Sequence, residues 1–295
     1  MLKLGFIGAG TVGTALAVRL REKGYHITAV ASRSKSSADR LASMVNGCYV
    51  YDTKQEVADD AELVFVTTPD DAILGVVAEV EWHRGQSVVH CSGVDSLDTL
   101  QKAKDDGAQV GAFHPLQTFA SVTHAIENLP GSTFAVEGEG LVVDTLKEMA
   151  GTLEGHWVML GPGDKVLYHA AAVIACNYMV TLLKLATDLW QTFNVSPSEA
   201  TKALLPLLRG TVNNIENVGL PNCLTGPIAR GDVGTIRKHL DALESSVPLL
   251  APTYRNLGLQ TIPIALGKGK IDRQKARELN QILTRFDINA QGESR

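Results

Sequence analysis

Two histidines and a lysine in this 295-residue chain have side chains and settings suited to proton transfer. His114 stands in "GAFHPLQTF", at the end of an apolar run and directly before a proline. Proline restricts the preceding residue to extended geometry, so we expect the strand to continue through His114 and then turn sharply. Lys165 and His169 are four residues apart in a predicted helix, so they lie on one helix face. A developing negative charge needs a proton or a hydrogen bond, which an imidazole or an ammonium supplies. These three are the candidate catalytic residues.

Other polar or small residues could contact a substrate, although local structure offers an alternative for each. Ser92 and Gly93 follow an apolar run in "VVHCSGVDSL", and Ser92 could instead cap a turn. Asn177 lies two turns beyond His169, and it could instead cap a neighbouring helix. Thr225 and Arg230 stand in "LTGPIARGD", where helix capping explains much of the pattern but leaves Arg230 as a possible anion anchor. His114 completes this set of candidate substrate contacts.

The segment "FIGAGTVG" predicts a dinucleotide site. Gly8, Gly10 and Gly13 directly follow an apolar strand and open a helix. These glycines permit a tight turn, a close approach of backbone to a pyrophosphate, and close helix–strand packing. The helix N-terminus presents N–H groups to the phosphates. The intervening residues also belong to the predicted site: Ala9, Thr11 and Val12.

The end of the second predicted strand favours NADP(H) over NAD. Many NAD enzymes place an acid there against the ribose 2′-hydroxyl, whereas this chain has Ser32, Arg33 and Ser34. A guanidinium and hydroxyls would bind a 2′-phosphate; the alternative is a solvated basic turn.

Two further loops should border the cofactor. Thr67, Thr68 and Pro69 end another strand, where ligands of such sheets lie, although an ordinary turn capped by an aspartate would look the same. Ser92 could contact the nicotinamide carboxamide.

The element pattern predicts an α/β protein in which an N-terminal Rossmann domain precedes an all-helical domain. Strands alternate with helices up to residue 160, which indicates a mostly parallel sheet with helices on both faces. Beyond it the pattern is almost entirely helical, with helices predicted over residues 165–193, 197–218, 234–245, 252–266 and 273–284. We assign residues 1–160 to the Rossmann domain, 161–288 to a helical substrate and dimerisation domain, and 289–295 to a polar tail. The predicted strands are "LKLGFIG", "HITAVAS", "ELVFVTT", "QSVVHCS", "AQVGAF", "STFAVEG" and "GHWVML".

Composition excludes several other classes. The net charge is −5, which does not suggest a nucleic-acid or anionic-membrane surface. The four cysteines form no C-x-x-C pair, so we expect no metal site and a reducing, cytoplasmic location. Residues 166–183 carry no formal charge over 18 positions, but they include polar side chains and many alanines. We therefore expect a helix buried in protein, not a membrane span.

Several segments together resemble a known superfamily: "IGAGTVG", "HCSG", "GAFHPLQTF", "YHAAAVIACNY" and "LTGPIARGD". Over nearly all its length the chain resembles Rossmann-like oxidoreductases with an uncharacterised all-helical C-terminal domain. These belong with 6-phosphogluconate dehydrogenase, pyrroline-5-carboxylate reductase and ketopantoate reductase. Some relatives carry Lys-x-x-x-Asn on the long helix, with lysine as proton donor. Here His169 replaces that asparagine, which makes His169 itself a candidate donor.

The residues and the resemblance together predict an NADP(H)-dependent oxidoreductase that reduces a small carbonyl or imine. A 2-oxo acid such as ketopantoate is one candidate substrate, and the resemblance implies a homodimer through the helical domain. Two alternatives stay open: a dinucleotide-binding sensor without hydride transfer, and an NAD-dependent dehydrogenase of a small acid.

Overall fold

The computed structural model describes residues 2–284, and its first half alternates strands with helices. The strands are β1 (Lys3–Ile7), β2 (His26–Ala31), β3 (Tyr49–Val50), β4 (Leu63–Val66), β5 (Ser87–His90), β6 (Gln109–Leu116), β7 (Thr133–Gly138) and β8 (His156–Met159). The helices between them are α1 (Thr11–Glu22), α2 (Lys35–Met44), α3 (Lys54–Asp60), α4 (Asp70–Ala78), α5 (Gln101–Asp105), α6 (Val122–Asn128) and α7 (Leu141–Thr152). All the predicted strands are present. The additional strand β3 has two residues, too few to show alternation.

The strands form one sheet in the order β3-β2-β1-β4-β5-β6-β7-β8. Neighbouring strands are parallel except β6 and β7, which are antiparallel. The carboxyl ends of β1, β2, β4, β5 and β6 therefore lie at one edge. The chain runs outward from β1 on one side and from β4 on the other, so β1 and β4 form the switch point where such sheets bind ligands. The predicted fold class, an α/β Rossmann-like domain followed by a helical region, is confirmed.

A row of phenylalanines fixes the register of the central strands. Phe6 on β1 stacks on Phe65 of β4 at 5.1 Å, and Phe113 on β6 stacks on Phe134 of β7 at 4.4 Å between ring centroids. All four rings are fully buried, and burial of each contributes about 1.5–3 kcal/mol. A one-residue slip would turn these rings to the opposite face of the sheet. Because side chains alternate along a strand, His114 faces away from the side that holds Phe113.

The geometry after His114 differs from the expectation. The histidine–proline pair was expected to end the strand in a sharp turn, but β6 continues to Leu116. Pro115 lies opposite Phe134 in the antiparallel ladder with β7. Antiparallel pairing tolerates a proline where its missing N–H would not enter the ladder. The turn prediction was therefore wrong, while the extended geometry expected of His114 is present.

Helices make up the rest of the described chain. They are α8 (Asp164–Ala172), a π turn (Val173–Asn177), α9 (Tyr178–Gln191), α10 (Pro197–Val218), α11 (Pro227–Arg230), α12 (Val233–Ser246), α13 (Ala251–Gly267) and α14 (Arg273–Thr284). The chain divides into two compact units, of which the first ends at Asn177 and the second begins at Tyr178. The polar tail assigned to residues 289–295 lies outside the described residues.

The second unit has a small core and an exposed apolar face. Its core is formed by α11 to α14, where Ile236, Leu240 and Leu279 are almost fully buried. By contrast, α9 buries only Thr187, and α10 buries only Ala200.

The segment Asp164–Gln191 is long and apolar enough to cross a membrane, by length and composition alone. The expectation that protein buries it is not met within the single chain, because its apolar window is exposed.

Candidate active site

The glycine loop, residues 8–13, joins β1 to α1 and is pressed against the end of β4. A side chain on Gly8 would come within 2.7 Å of the Thr67 backbone, and one on Gly13 would come within 2.4 Å of Thr67 Oγ1. The Thr67 hydroxyl donates to the Gly8 carbonyl at 2.7 Å. Gly8 also has a φ of +110°, which side chains rarely adopt. Both positions therefore require glycine.

Gly10 is different, since the space around its missing side chain is open. The closest atom to a Cβ at this position would be the Thr67 carbonyl oxygen at 4.0 Å. Gly10 is also the N-cap of α1, and no side chain caps this end. The first N–H groups of a helix lack partners within it. Open space in front of uncapped N–H groups fits the pyrophosphate of a dinucleotide, with Ala9, Thr11 and Val12 completing the loop.

The segment after β2 presents positive charge beside this loop. Arg33 is exposed and forms no ion pair within residues 2–284, whereas Lys35 pairs with Asp52 at 3.6 Å. Ser34 caps α2 by accepting from the Ser37 N–H at 3.3 Å, and Ser32 is half-buried. Arg40, to which no sequence signal points, donates to the Ala9 carbonyl at 3.5 Å. Arg33 and Ser32 therefore have the most freedom to bind a 2′-phosphate.

The loop after β4 also borders the glycine loop. Thr68 Oγ1 is buried and has no hydrogen-bond partner in the described part of the chain. A buried hydroxyl usually finds a partner, so it is a fitting contact for a bound cofactor. Pro69 is the N-cap of α4, without a side-chain cap bond, so the aspartate cap considered for this turn does not form.

Beyond β5, the chain makes a tight turn that brings Gly93 close to two imidazoles. The Ser92 hydroxyl accepts from the Val94 N–H at 3.1 Å and from the Asp95 N–H at 2.9 Å. Ser92 is 3% exposed. Its hydroxyl therefore caps the turn, which is the alternative to substrate contact considered above. A side chain on Gly93 would lie 2.8 Å from both His114 Nε2 and His169 Nδ1. The two candidate histidines thus converge on one backbone position.

Tyr168 holds His114 in place, although no motif in the sequence singles it out. The Tyr168 hydroxyl lies 2.9 Å from His114 Nδ1, with the rings edge to face. Burial, with His169 and Lys165 nearby, lowers the pKa of His114 to about 4. Burial raises the pKa of Tyr168 to about 12. Both groups are therefore neutral near pH 7, and either can donate the shared proton.

His169 contributes a buried nitrogen with unused bonding capacity. Its Nδ1 has no hydrogen-bond partner anywhere in residues 2–284. The His169 ring lies 6.1 Å from the His114 ring, nearly perpendicular to it. We call Gly93, His114, Tyr168 and His169 the imidazole cluster.

Lys165 is buried and makes one hydrogen bond and one ion pair within the same unit. It is 4% exposed; its Nζ donates to the Asp95 carbonyl at 2.6 Å and lies 3.8 Å from Glu137 Oε2. Burial lowers the pKa of Lys165 while Glu137 opposes the shift, and burial raises the pKa of Glu137. The ammonium therefore ties α8 to the Ser92–Asp95 turn and to β7. Neither partner could be recognised in the sequence, because both are remote from Lys165 along the chain.

The remaining predicted substrate contacts are not part of this cluster. Asn177 ends the π turn and is exposed. Thr225 and Arg230 line one cavity of the helical unit. The predicted cap by Thr225 does not form, since Gly226 is the N-cap of α11. No group of three metal-ligating side chains occurs among the residues that the structure describes.

The fold and the glycine loop define a Rossmann-type dinucleotide-binding protein, and comparison with known families narrows this class. Residues 1–115 match the Rossmann-like domain, and residues 132–261 match the domain of unknown function DUF2520. The chain matches these two domain models one after the other, which confirms the predicted resemblance.

Solved structures with this fold include several NADP(H) oxidoreductases. BF3122 of Bacteroides fragilis, provisionally named an NADP oxidoreductase, is 26% identical, with a TM-score of 0.70 over 89% of this chain and 98% of that one. The reductive aminase of Aspergillus terreus, in complex with NADPH and ethyl levulinate, is 18% identical, with a TM-score of 0.64 over 95% of this chain and 99% of that one. The second likeness shows the fold alone. The likeness to BF3122 supports the NADP(H) prediction.

One curated relative is a reductase. The 2-hydroxy-3-oxopropionate reductase of Escherichia coli is 28% identical over 111 residues, which is 35% of this chain. The match spans about a third of that relative, 36% of its length. These comparisons support an oxidoreductase and do not specify a substrate.

Proposed function

We propose that this protein is an NADP(H)-dependent oxidoreductase that reduces a small carbonyl or imine compound. A 2-oxo acid such as ketopantoate is one candidate substrate. The observation that carries the proposal is the convergence of His114 Nε2 and His169 Nδ1 on Gly93. Gly93 follows β5 and His114 lies in β6, within the same sheet whose β1 and β4 border the glycine loop. Ligands of such sheets lie outside the carboxyl ends of the strands.

The cofactor would be held by the glycine loop and by the residues after β2. The N–H groups at the start of α1 would bind the pyrophosphate, and Arg33 and Ser32 would bind the 2′-phosphate. Thr68 and Pro69 would border the nicotinamide side. When bound, NADPH supplies the hydride for the reduction. The residues of the chain orient the substrate and supply the proton.

In this proposal His114 delivers the proton and Tyr168 restores it. If the Tyr168 hydroxyl donates to Nδ1, the neutral His114 ring carries its own proton on Nε2, which faces Gly93. The substrate oxygen or nitrogen, as it gains negative charge, takes the Nε2 proton. In the same step the ring takes the Tyr168 proton at Nδ1. After product release, Nε2 takes a proton from water and Nδ1 returns its proton to the Tyr168 phenolate, which restores the starting tautomer. Because the ring passes a proton from one nitrogen to the other, His114 never needs to be charged.

His169 and Lys165 have supporting roles in the same site. The unpartnered Nδ1 of His169 would hydrogen-bond the substrate beside Gly93, with Ser92 shaping the turn. Lys165 would be a positioning residue that holds this turn through the Asp95 carbonyl. Lys165 was a candidate donor, and its two contacts favour this positioning role.

Turnover of a substrate panel tests the proposal. We expect loss of NADPH absorbance with at least one member of a panel of 2-oxo acids and cyclic imines. His114→Asn should lower kcat by about 1000-fold and Tyr168→Phe by about 100-fold, within the range of general acid–base catalysis. Tyr49→Phe, at an exposed tyrosine, is the matched control.

Affinity for NADPH should stay within twofold in all these variants, and the solvent deuterium isotope effect should rise in Tyr168→Phe. NADPH binding without turnover of any compound would favour a dinucleotide sensor. Faster turnover with NAD in the oxidative direction would favour a dehydrogenase.

We also propose a homodimer formed through the helical unit. The exposed apolar side chains of α9 and α10 support it, because a monomer rarely exposes a large contiguous apolar patch. Among them are Met179, Val180, Leu182, Leu207, Val212, Ile215 and Val218. Sedimentation analysis should give twice the monomer mass of 31.6 kDa. The four cysteines are free thiols, which supports the proposed cytoplasmic location.

A further inference from the structure

We propose that the helical unit contains a binding pocket for the phosphate group of a small organic phosphate. The pocket is a cavity of about 440 Å³ between the start of α11 and the segment after α13. Three cationic side chains line it, from Arg230, Lys268 and Lys270. The proposal goes beyond the reduction chemistry, and it does not depend on which residue donates the proton.

The charge of the pocket is unbalanced. No acidic residue lines it, and none of its three cations forms an ion pair within residues 2–284. Asp232 follows closely in the sequence; its carboxylate accepts bonds from Thr235 at 3.0 and 2.7 Å and offsets part of the Arg230 charge, without lining the cavity. In a chain with a net charge of −5, a cavity lined by three cations and no acidic residue points to an anionic ligand.

The walls of the pocket are held in place without a ligand. Lys268 Nζ donates to the Leu224 carbonyl at 2.6 Å, which fixes one cation against the loop. Gly226 has a φ of +94° and Gly231 a φ of +67°, so both turns that flank α11 use conformations that favour glycine. A side chain on Gly231 would also come within 2.5 Å of Lys275. The pocket is therefore largely preformed, which lowers the entropy cost of binding.

The size and lining of the cavity favour an organic phosphate. A phosphate monoester carries about −1.5 to −2 charges at pH 7, which suits several cations better than a carboxylate does. Lysine binds phosphate as a point charge, and arginine binds it through two parallel N–H groups. The exposed hydroxyl of Thr225 could add one donor. The cavity falls in the range for small-molecule sites, and Leu224 and Ala229 give the organic part of the ligand an apolar wall.

Calorimetric titration with inorganic phosphate and with glycerol 3-phosphate tests this pocket. The pocket variant is Arg230→Gln with Lys270→Gln, because both side chains are exposed and make no side-chain hydrogen bond among the described residues. We expect its affinity for both anions to fall by at least tenfold. The charge-matched control, Lys202→Gln with Arg209→Gln, changes two exposed cations of α10 that lie outside the pocket. It should bind both anions within twofold of the wild type.

The dinucleotide site also binds phosphates, so Arg33→Ala is titrated in parallel. Retained binding in Arg33→Ala, with loss in the pocket variant, supports the proposal. Loss of phosphate binding in Arg33→Ala, with unchanged binding in the pocket variant, overturns it. An equal loss of phosphate affinity in the pocket variant and in the charge-matched control also overturns it. Absence of any phosphate binding by the wild type also overturns it.

Measuring NADPH binding separately for each variant distinguishes failure of the pocket from failure of the proposed reductase. Two sources of the phosphate are then separable. A KM of the pocket variant for a phosphorylated 2-oxo acid that is at least tenfold above the wild-type value identifies the substrate as the source of the phosphate. An unchanged KM identifies a separate phosphorylated ligand.

Discussion

The glycine loop and the imidazole cluster belong to the same unit, yet they are assembled in different ways. The glycine loop is continuous in sequence, and it packs against the Thr67 region at the end of β4. The imidazole cluster gathers single residues from the β5 turn, from β6 and from α8. A continuous loop keeps its geometry through local backbone conformation. A gathered cluster depends on every element that carries one of its members, so it should be more sensitive to small changes in packing.

The largest expected effect comes from Gly93→Ala. The new methyl group would lie 2.8 Å from both imidazole rings and would displace them. A displacement of about 1 Å lowers the rate about 100-fold or more, so we expect kcat to fall by about 1000-fold when both rings move. The affinity for NADPH should not change. Gly75→Ala is the control, because nothing lies within 4 Å of that position in α4. Kinetics and NADPH fluorescence titration measure the two quantities.

Full turnover in a folded Gly93→Ala variant would contradict the proposed site. A parallel loss of NADPH binding would instead mean that the two regions are not independent.

A smaller effect, confined to the cofactor side, is expected for Arg33→Ala. Removal of a charge-assisted contact to the 2′-phosphate should weaken NADPH binding about 30-fold, with NADH binding unchanged. Arg84→Ala, at another exposed arginine, serves as the control. Isothermal titration with both cofactors measures the ratio. Equal affinities of the wild type for NADPH and NADH would contradict the NADP(H) assignment.

The smallest expected effect is on acid stability. The folded-state pKa values of His114 and His90 lie near 4 and 3, below the usual 6.5, and burial is the main cause at both. The folded protein therefore binds fewer protons than the unfolded chain below pH 6.5, so stability falls as pH falls. Between pH 7 and pH 5.5 each histidine should cost about 1 kcal/mol of unfolding free energy.

Urea unfolding at the two pH values measures this loss. His114→Asn should remove about half of the contribution from the two buried histidines, whereas His124→Asn, at an exposed position, should leave the pH dependence unchanged. An equal loss in His114→Asn and wild type would mean that His114 is not buried as a neutral group.

Much of the fold could be predicted because its signals are local. Short apolar runs predict the buried strands β1, β4 and β5, and the spacing of the glycines after β1 predicts the backbone of the loop. The predicted helix α10 matches its observed limits, Pro197–Val218, because a proline starts it and a glycine follows it. The expected turn after His114 failed because antiparallel pairing with β7 kept the strand extended through Pro115.

The sequence by itself determined the class of sheet, the glycine loop and the candidate histidines. Each of these follows from spacing over a few residues, within which backbone geometry leaves few choices. Only the tertiary structure decided that Tyr168 bonds His114, that Glu137 and the Asp95 carbonyl occupy Lys165, and that both imidazoles meet at Gly93. Those contacts join residues far apart in the chain. Their geometry depends on how β5, β6 and α8 pack, and this is a property of the whole unit that no short segment contains.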